Sequence, residues 1–208
     1  MTNRNDPGSS IKHWRAWPES SCGDNLQAVI SHRVFHHPTD IHKILSTPPN
    51  INTISWIIEQ FRQLLVDLSF FSIKLHQECT RSTCDQMKTT QEWMFLCAAH
   101  KTPTDCCAVD YTRHTIDSAI RCISELSRLD SPSSRLDLIR THSRRLVRIL
   151  LHSAHHHADL LVDYEERTAL CKRFCAFCLW FDIVPAKQLC FPEIPGLDLN
   201  VESLFSLN

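Results

Sequence analysis

A long periodic stripe of apolar residues between Thr53 and Glu78 constrains this chain more than any other feature of its sequence. Apolar residues recur at seven-residue intervals, and others fill the positions between them, as on one face of an α-helix. The stripe consists of Ile54, Ile57, Phe61, Leu64, Leu68, Phe71 and Leu75. Asn52 or Thr53 could cap the start of this helix. Because so long a stripe must be covered by neighbouring helices, the sequence predicts a helical bundle.

Glycine is scarce, and its scarcity favours the same fold class. The chain has 3 glycines among 208 residues, whereas glycine usually makes up about 7% of a protein. Tight turns and phosphate-binding loops both depend on glycine, so neither is expected to be a major feature. We therefore predict a mainly α protein, with a small β-hairpin or irregular clamp between Trp93 and Cys107. The other helices are predicted at 25–36, 41–45, 110–126, 136–166 and 168–184, with a loop at 129–135.

Charge and hydropathy argue against several functional classes. The formal net charge is −1, so no general electrostatic attraction favours nucleic acid as a partner. No run of about 18 apolar residues is present, so direct membrane insertion is not expected. Residues 1–25 are polar and lack the apolar core of a secretory signal, so the 11 cysteines are expected in a reducing compartment, the cytoplasm. Most of these cysteines should be buried as small apolar side chains, and a minority should bind metal.

Two cysteines and a run of histidines suggest a metal site. Cys79 and Cys84 lie just beyond the long helix, and the histidines at 152 and 155–157 belong to a later predicted helix. Two thiolates and two imidazoles are a preferred ligand set for four-coordinate structural zinc. On an uninterrupted helix, His152 and His156 would share one face and so form the histidine pair. The alternative interpretation is that the cysteines are buried thiols and the histidines a polar helix face.

Arg144, Arg145 and Arg148 form a basic cluster one to two turns before the histidines. Arg144 and Arg148 share a helix face, and Arg145 lies beside them. Guanidinium pairs suit bidentate capture of a phosphate group, and Arg140 or His142 could extend the cluster. A cluster of this size fits one phosphorylated side chain better than a nucleic-acid backbone. The alternative interpretation is a solvated helix face without a ligand.

Several separate segments resemble the Mob family, and its phocein branch in particular, in the same order along the chain. They are residues 13–20 (HWRAWPES), 79–84 (CTRSTC), 92–103 (EWMFLCAAHKTP), 109–117 (VDYTRHTID), 144–148 (RRLVR) with the histidines that follow, and 165–177. The resemblance covers roughly residues 10–190. It implies a Mob domain at 26–190, after a partly extended N-terminal arm at 1–25 and before an extended or disordered tail at 191–208.

The resemblance implies a specific zinc ligand set. The fold it implies is a helical bundle with a small β-hairpin and one structural Zn²⁺ per chain, and members of the family have no enzymatic activity. The family's cysteine ligands fall on Cys79 and Cys84, and its histidine ligands, separated by four residues, fall on His152 and His157. This assignment outranks the pair chosen from helical geometry, although His155 and His156 are alternative ligands.

The resemblance also implies an adaptor that binds protein kinases. Its basic cluster, Arg144, Arg145 and Arg148, would capture a phosphorylated segment of a partner. Phocein-like members associate with striatin-like scaffolds, which bring a phosphatase together with germinal-centre-type kinases in a STRIPAK-like assembly. The alternative is a Mob-type co-activator of nuclear Dbf2-related kinases. Any contact with membranes would be peripheral, through such partners.

A zinc hydrolase is the main alternative from a different functional class. Such an enzyme needs an open coordination position and a general base, usually Glu, beside the ligands. No His-Glu-x-x-His motif is present, and four protein ligands would close the site. We therefore expect no catalytic residues.

Overall fold

Seven α-helices and one short 3₁₀ turn account for the regular structure of residues 26–90 and 92–199, which are the residues that the computed structural model describes. The helices are α1 (Leu26–His36), α2 (Ile41–Leu45), α3 (Thr53–Leu75), α4 (Ala108–Leu126), α5 (Pro132–His156), α6 (Ala158–Thr168) and α7 (Leu170–Trp180), followed by the 3₁₀ turn Ala186–Gln188. The prediction of a mainly α protein is confirmed. The predicted N-terminal arm at 1–25 and residues 200–208 of the tail lie outside the described residues. No helix in the described part of the chain is long and apolar enough to cross a membrane.

Helix α3 lies at the centre of the bundle, where it contacts α1, α4, α5, α6 and α7. Its apolar stripe is buried along its length except at the first residue, Ile54, which is partly buried. Asn52, one of the two predicted caps, accepts a hydrogen bond from the N–H of Ser55 at 3.1 Å. Buried polar side chains also project from this helix, namely Gln60, Gln63 and Asp67. The buried surface of α3 is therefore wider than its apolar stripe.

An ion pair in the interior joins α3 to α7. The Arg173 guanidinium lies 2.8 Å from the Asp67 carboxylate, and their side chains are 2% and 0% exposed. Gln63 donates a second hydrogen bond to this carboxylate at 3.2 Å, and Arg173 also donates to the carbonyl of Thr168 at 3.1 Å. A buried charge requires such partners because it has lost its hydration. The pair therefore fixes α7, and the end of α6, against the central helix.

The prediction of one helix at 136–166 is wrong at both ends, because the helix observed there, α5, has different bounds. It begins earlier, at Pro132, a residue that suits the first turn of a helix because no N–H is needed there. It ends at His156, because the backbone leaves the helical conformation at His157, where φ is −142° and ψ is 48°. A separate helix, α6, follows at once. Neither glycine nor proline marks this break, so the sequence carries no local signal for it.

A left-handed residue, Ala169, separates α6 from α7 and shortens the helix predicted at 168–184. Its φ is 48°, a conformation that is costly for residues other than glycine. The Glu165 carboxylate offsets this cost by accepting hydrogen bonds from the backbone N–H groups of Cys171 at 2.6 Å and Lys172 at 2.9 Å. Because N–H groups in the first turn of a helix lack partners within it, Glu165 caps α7 from the preceding helix.

Between α3 and α4 lies an irregular clamp segment, defined as residues 85–90 and 92–107. The predicted β-hairpin is not confirmed, because this part of the described chain contains isolated antiparallel bridges rather than strands. The bridges pair Lys88 with Met94 and Cys97 with Thr104. At the base of the clamp segment, the N–H of Ala108 donates to the carbonyl of Cys84 at 3.1 Å. The two ends of the segment are therefore held together.

The described part of the C-terminal tail packs onto the helices. Its apolar residues Phe191, Ile194, Leu197 and Leu199 are partly buried against the core. Gly196 has a φ of 86°, and a Cβ there would lie 3.1 Å from the Val162 side chain. Glycine therefore suits both the turn and the close approach to α6. The domain boundaries at 26 and 190 remain predictions.

Replacing Arg173 with Met is expected to destabilise the protein by about 3–5 kcal/mol, because the buried Asp67 carboxylate then loses the cation that neutralises it. The free energy of unfolding, measured by urea denaturation of the full chain, tests this. Arg167→Met is the matched control, since it removes an exposed pair with Asp163 and should cost less than about 1 kcal/mol. Similar losses in both variants would contradict a special role for the buried pair.

Candidate functional site

Cys79 and Cys84 lie in a compact turn that continues from the C-terminal end of α3. The N–H of Cys79 donates to the carbonyl of Leu75 at 2.8 Å, so this residue is held by the last turn of the helix. The N–H of Cys84 donates to the carbonyl of Thr80 at 2.9 Å. Cys79 is fully buried and Cys84 is half-buried. The position of both thiols therefore follows from where α3 ends.

The histidines beside these thiols come from the end of α5 and the residue that follows it. His152 Nε2 lies 3.5 Å from Cys79 Sγ, and His157 Nε2 lies 3.4 Å from Cys84 Sγ. The four ligand atoms all lie within 4.8 Å of one another. His156, the choice from helical geometry, is exposed and is not part of this group. The reason is the break at His157, which turns the chain out of the helix and places that side chain at the thiols.

The second ring nitrogen of each histidine has a partner outside the group. His152 Nδ1 lies 2.6 Å from the carbonyl oxygen of Lys88, so Nδ1 carries the proton and Nε2 is free to act as a ligand. His157 Nδ1 lies 3.7 Å from a carboxylate oxygen of Glu78. Partners of this kind orient the imidazoles of metal sites and fix their tautomers. The arrangement thus presents Nε2 of both rings to the two sulfur atoms.

The chemistry of the four residues fits a four-coordinate metal ion. Burial lowers the pKa of His152 to about 4, which keeps the imidazole neutral, as a ligand must be. Burial, with the adjacent Cys84, raises the pKa of Cys79, and a bound cation would reverse that effect by stabilising the thiolate. With Zn–S of about 2.3 Å and Zn–N of about 2.0 Å, a tetrahedral site separates N from S by about 3.5 Å. The separations between Nε2 and Sγ of 3.5 and 3.4 Å match this value.

A cleft of about 1080 Å³ lies between α5, the clamp segment and the chain that follows α7. Its apolar walls include Trp93, Phe95, Leu151 and Phe191, and its basic side chains are Arg144, Arg148 and Lys187. Trp93 is 65% exposed, so one wall of the cleft presents an aromatic surface to solvent. An open groove with apolar walls and cationic groups suits a peptide better than a small neutral ligand.

Two of the three arginines of the predicted basic cluster, Arg144 and Arg148, line this cleft. They differ in the contacts that their guanidinium groups make. Arg148 donates to the Tyr111 hydroxyl at 3.0 Å, and its guanidinium lies 4.3 Å from the centre of the Phe95 ring. Arg144 is exposed and makes no hydrogen bond or ion pair with the described residues. Arg148 therefore supports the wall of the cleft, whereas Arg144 is available to a ligand.

The remaining basic residues near the cluster lie outside the lining of the cleft. Burial lowers the pKa of His142, and the nearby Arg145 guanidinium lowers it further. Arg140 is engaged by two carboxylates, Asp137 at 3.2 Å and Asp182 at 3.3 Å. Because adjacent helix positions point about 100° apart, Arg144 faces the cleft and Arg145 does not.

Sequence reasoning missed two features of this region. A second group of potential metal ligands lies in and beside the clamp segment, formed by Cys97, His100, Cys106 and His114. The close spacing of Cys97 and His100 is a signal that could have identified it. Lys187 and Phe191, by contrast, reach the cleft only because of the path of the chain after α7, and no sequence pattern indicates that path.

Comparisons with known proteins agree on one family. A family model described as "Mob1/phocein family" matches residues 33–191. The Caenorhabditis elegans protein named "MOB-like protein phocein" is 33% identical over 202 residues, which cover 93% of this chain and 91% of that protein. The Drosophila melanogaster protein named "MOB kinase activator-like 4" is 33% identical over 201 residues, which cover 92% and 90% respectively. The matched lengths thus cover nearly the whole chain, and the range of the family model spans the residues of both Cys/His groups.

Proposed function

Because this chain belongs to the Mob1/phocein family, we propose that it is a non-catalytic adaptor that binds protein kinases and a striatin-type scaffold. The observation that carries the proposal is the near full-length similarity to a protein named phocein and to one named a kinase activator. Through the scaffold, the adaptor would join a phosphatase and germinal-centre-type kinases in the cytoplasm, and would meet membranes only through those partners. A co-activator of nuclear Dbf2-related kinases is the alternative within the same family.

In this proposal Cys79, Cys84, His152 and His157 hold one structural Zn²⁺. Two sulfur and two nitrogen ligands favour zinc over harder cations such as magnesium or calcium. Four protein ligands leave no open position for a water or substrate, which argues against a zinc hydrolase. Zinc bound here would join the end of α3 to the α5–α6 junction and so contribute to the folding free energy.

Replacing Cys84 with Ser is expected to remove one equivalent of zinc per chain and to lower the thermal unfolding midpoint, because zinc binding supplies folding free energy. Metal content by mass spectrometry of the purified full chain, with calorimetric unfolding, measures both effects. Cys190→Ser is the control, since Cys190 is exposed and outside both Cys/His groups. A strong chelator that leaves the unfolding midpoint of the wild-type protein unchanged would refute a structural role for zinc.

The cleft is proposed to bind a phosphorylated segment of a partner, with Arg144 as the principal phosphate ligand. Arg144 is exposed in the cleft and has no partner among the described residues, so its guanidinium can form a charge-assisted pair without losing another contact. Lys187, from the chain after α7, adds a further cation to the lining of the cleft. The apolar walls, including Phe95 and Phe191, would accommodate the residues that flank the phosphate.

Arg144→Glu is expected to weaken phosphopeptide binding by at least about tenfold, because a charge-assisted hydrogen bond contributes about 1.5–3 kcal/mol. Fluorescence anisotropy with a phosphothreonine peptide selected from a degenerate library, and with its unphosphorylated form, provides the measurement. Arg145→Glu carries the same charge change outside the lining of the cleft and should alter the affinity less than about threefold. Equal losses in the two variants would place the phosphate elsewhere.

Affinity purification of the tagged full chain from its own cells tests the choice of partner. We expect a striatin-like scaffold with phosphatase subunits and germinal-centre-type kinases to co-purify, identified by mass spectrometry. Recovery of a nuclear Dbf2-related kinase without the scaffold would support the co-activator alternative instead. The Arg173→Met variant, which should be partly unfolded, provides a control for non-specific capture by chaperones.

A further inference from the structure

The second Cys/His group has a ligand set as complete as that of the first. It comprises Cys97, His100, Cys106 and His114, and its four ligand atoms all lie within 4.8 Å of one another. Three of the residues belong to the clamp segment, and the fourth, His114, lies in the second turn of α4. The group shares no residue with the group around Cys79, so either could be filled without the other.

The distances between nitrogen and sulfur atoms in this group are close to those of a tetrahedral zinc site. His100 Nε2 lies 3.1 Å from Cys106 Sγ. His114 Nδ1 lies 3.7 Å from Cys97 Sγ and 3.9 Å from Cys106 Sγ. These values lie on either side of the separation of about 3.5 Å expected between N and S ligands of zinc.

Core packing does not account for this convergence. Cys97 is buried in the core and Cys106 packs partly against it, but His100 is exposed, so burial in an apolar interior does not place the His100 side chain beside the thiols. Cys171, Cys175 and Cys178 provide the contrast, because they are buried in the core and belong to no Cys/His group among the described residues.

We propose that Cys97, His100, Cys106 and His114 bind a second structural Zn²⁺, which staples the clamp segment to α4. Both thiols would lose their protons to solvent on binding, and both imidazoles would bind in their neutral form. The ligand set of two sulfur and two nitrogen atoms favours zinc over harder divalent cations. All four positions are filled by protein, so the site is structural and has no open position for a reactant.

The clamp segment has backbone hydrogen bonds of its own but no regular strand among the described residues, so a metal would add to what restrains it. Around the proposed site, Cys97 and Thr104 exchange hydrogen bonds of 2.8 and 3.1 Å, but no strand extends this pairing among the described residues. The same segment carries Phe95, which lies under the Arg148 guanidinium in the wall of the cleft. A metal at Cys97 would therefore hold that wall in place from two residues away.

Zinc content and zinc release of the purified full chain test the proposal. We expect two zinc per chain in the wild type, by mass spectrometry after reduction and desalting. His100→Ala removes an exposed ligand without opening the core, and should release one of the two equivalents to a colorimetric chelator at least tenfold faster. His76→Ala is the matched control, because His76 is also exposed and belongs to neither group. Circular dichroism verifies that the helices are retained.

The outcomes separate the second site from the first. The Cys84→Ser variant should retain one equivalent of zinc per chain. In the double variant Cys84→Ser with His100→Ala, the chelator should remove that equivalent rapidly. One zinc per wild-type chain that disappears in Cys84→Ser and is unaffected by His100→Ala would refute the second site and leave the first intact. A disulfide between Cys97 and Cys106 in protein purified under reducing conditions would also refute it. If His100→Ala loses helical structure, two kinetically distinct equivalents released by the wild type support the proposal, and a single equivalent refutes it.

Discussion

Helix α3 packs against five other helices. Its buried Asp67 carboxylate is out of reach of water, so its charge has to be neutralised by another part of the protein. Asp67 obtains that neutralisation from Arg173, 2.8 Å away on α7. The same guanidinium contacts the carbonyl of Thr168 at the end of α6. One ion pair thus sets the position of two helices relative to the central one. Because α6 begins where α5 ends, the end of α5 is also restrained, and that is where the histidines of the first Cys/His group lie.

The first group therefore depends on helix ends rather than on helix faces. Its thiols follow the last turn of α3, and His157 enters it because the chain leaves the helix at that residue. The apolar period of α3 is strong enough to predict the central helix, its cap and the bundle from sequence. Helical periodicity in α5 instead favours His156 as the partner of His152, since a spacing of four residues places both on one face only if the helix is unbroken. Resemblance to the family supplied His157, because a family's ligand spacing already contains the effect of the break.

Apart from the close spacing of Cys97 and His100, the sequence carries no local signal for the rest of the site, because that part depends on irregular chain. The ligands of the second group lie on a segment without helical or strand periodicity, and His114 joins them only through the packing of that segment on α4. Lys187 and Phe191 enter the cleft from chain beyond α7, where no pattern indicates a path. Helical spacing did place Arg144 and Arg148 on one face. Helical spacing could not assign different roles to Arg144 and Arg148, because Tyr111 and Phe95, which contact Arg148, come from other parts of the fold.

In the proposed function, these placements connect metal binding to partner binding through the clamp segment. The first Cys/His group is attached to the start of the clamp segment. Cys84 directly precedes that segment, and His152 forms a hydrogen bond with the carbonyl of Lys88 within it. The proposed second site holds its later part, through Cys97 and Cys106. The cleft wall formed by Trp93 and Phe95 lies between these two attachments. A partner that binds the cleft meets a surface ordered in advance and loses less conformational freedom on binding. In the proposed function, loss of either metal would leave Arg144 in place but loosen the wall formed by Trp93 and Phe95, so the affinity for a phosphorylated partner would fall without any change in the charge of Arg144.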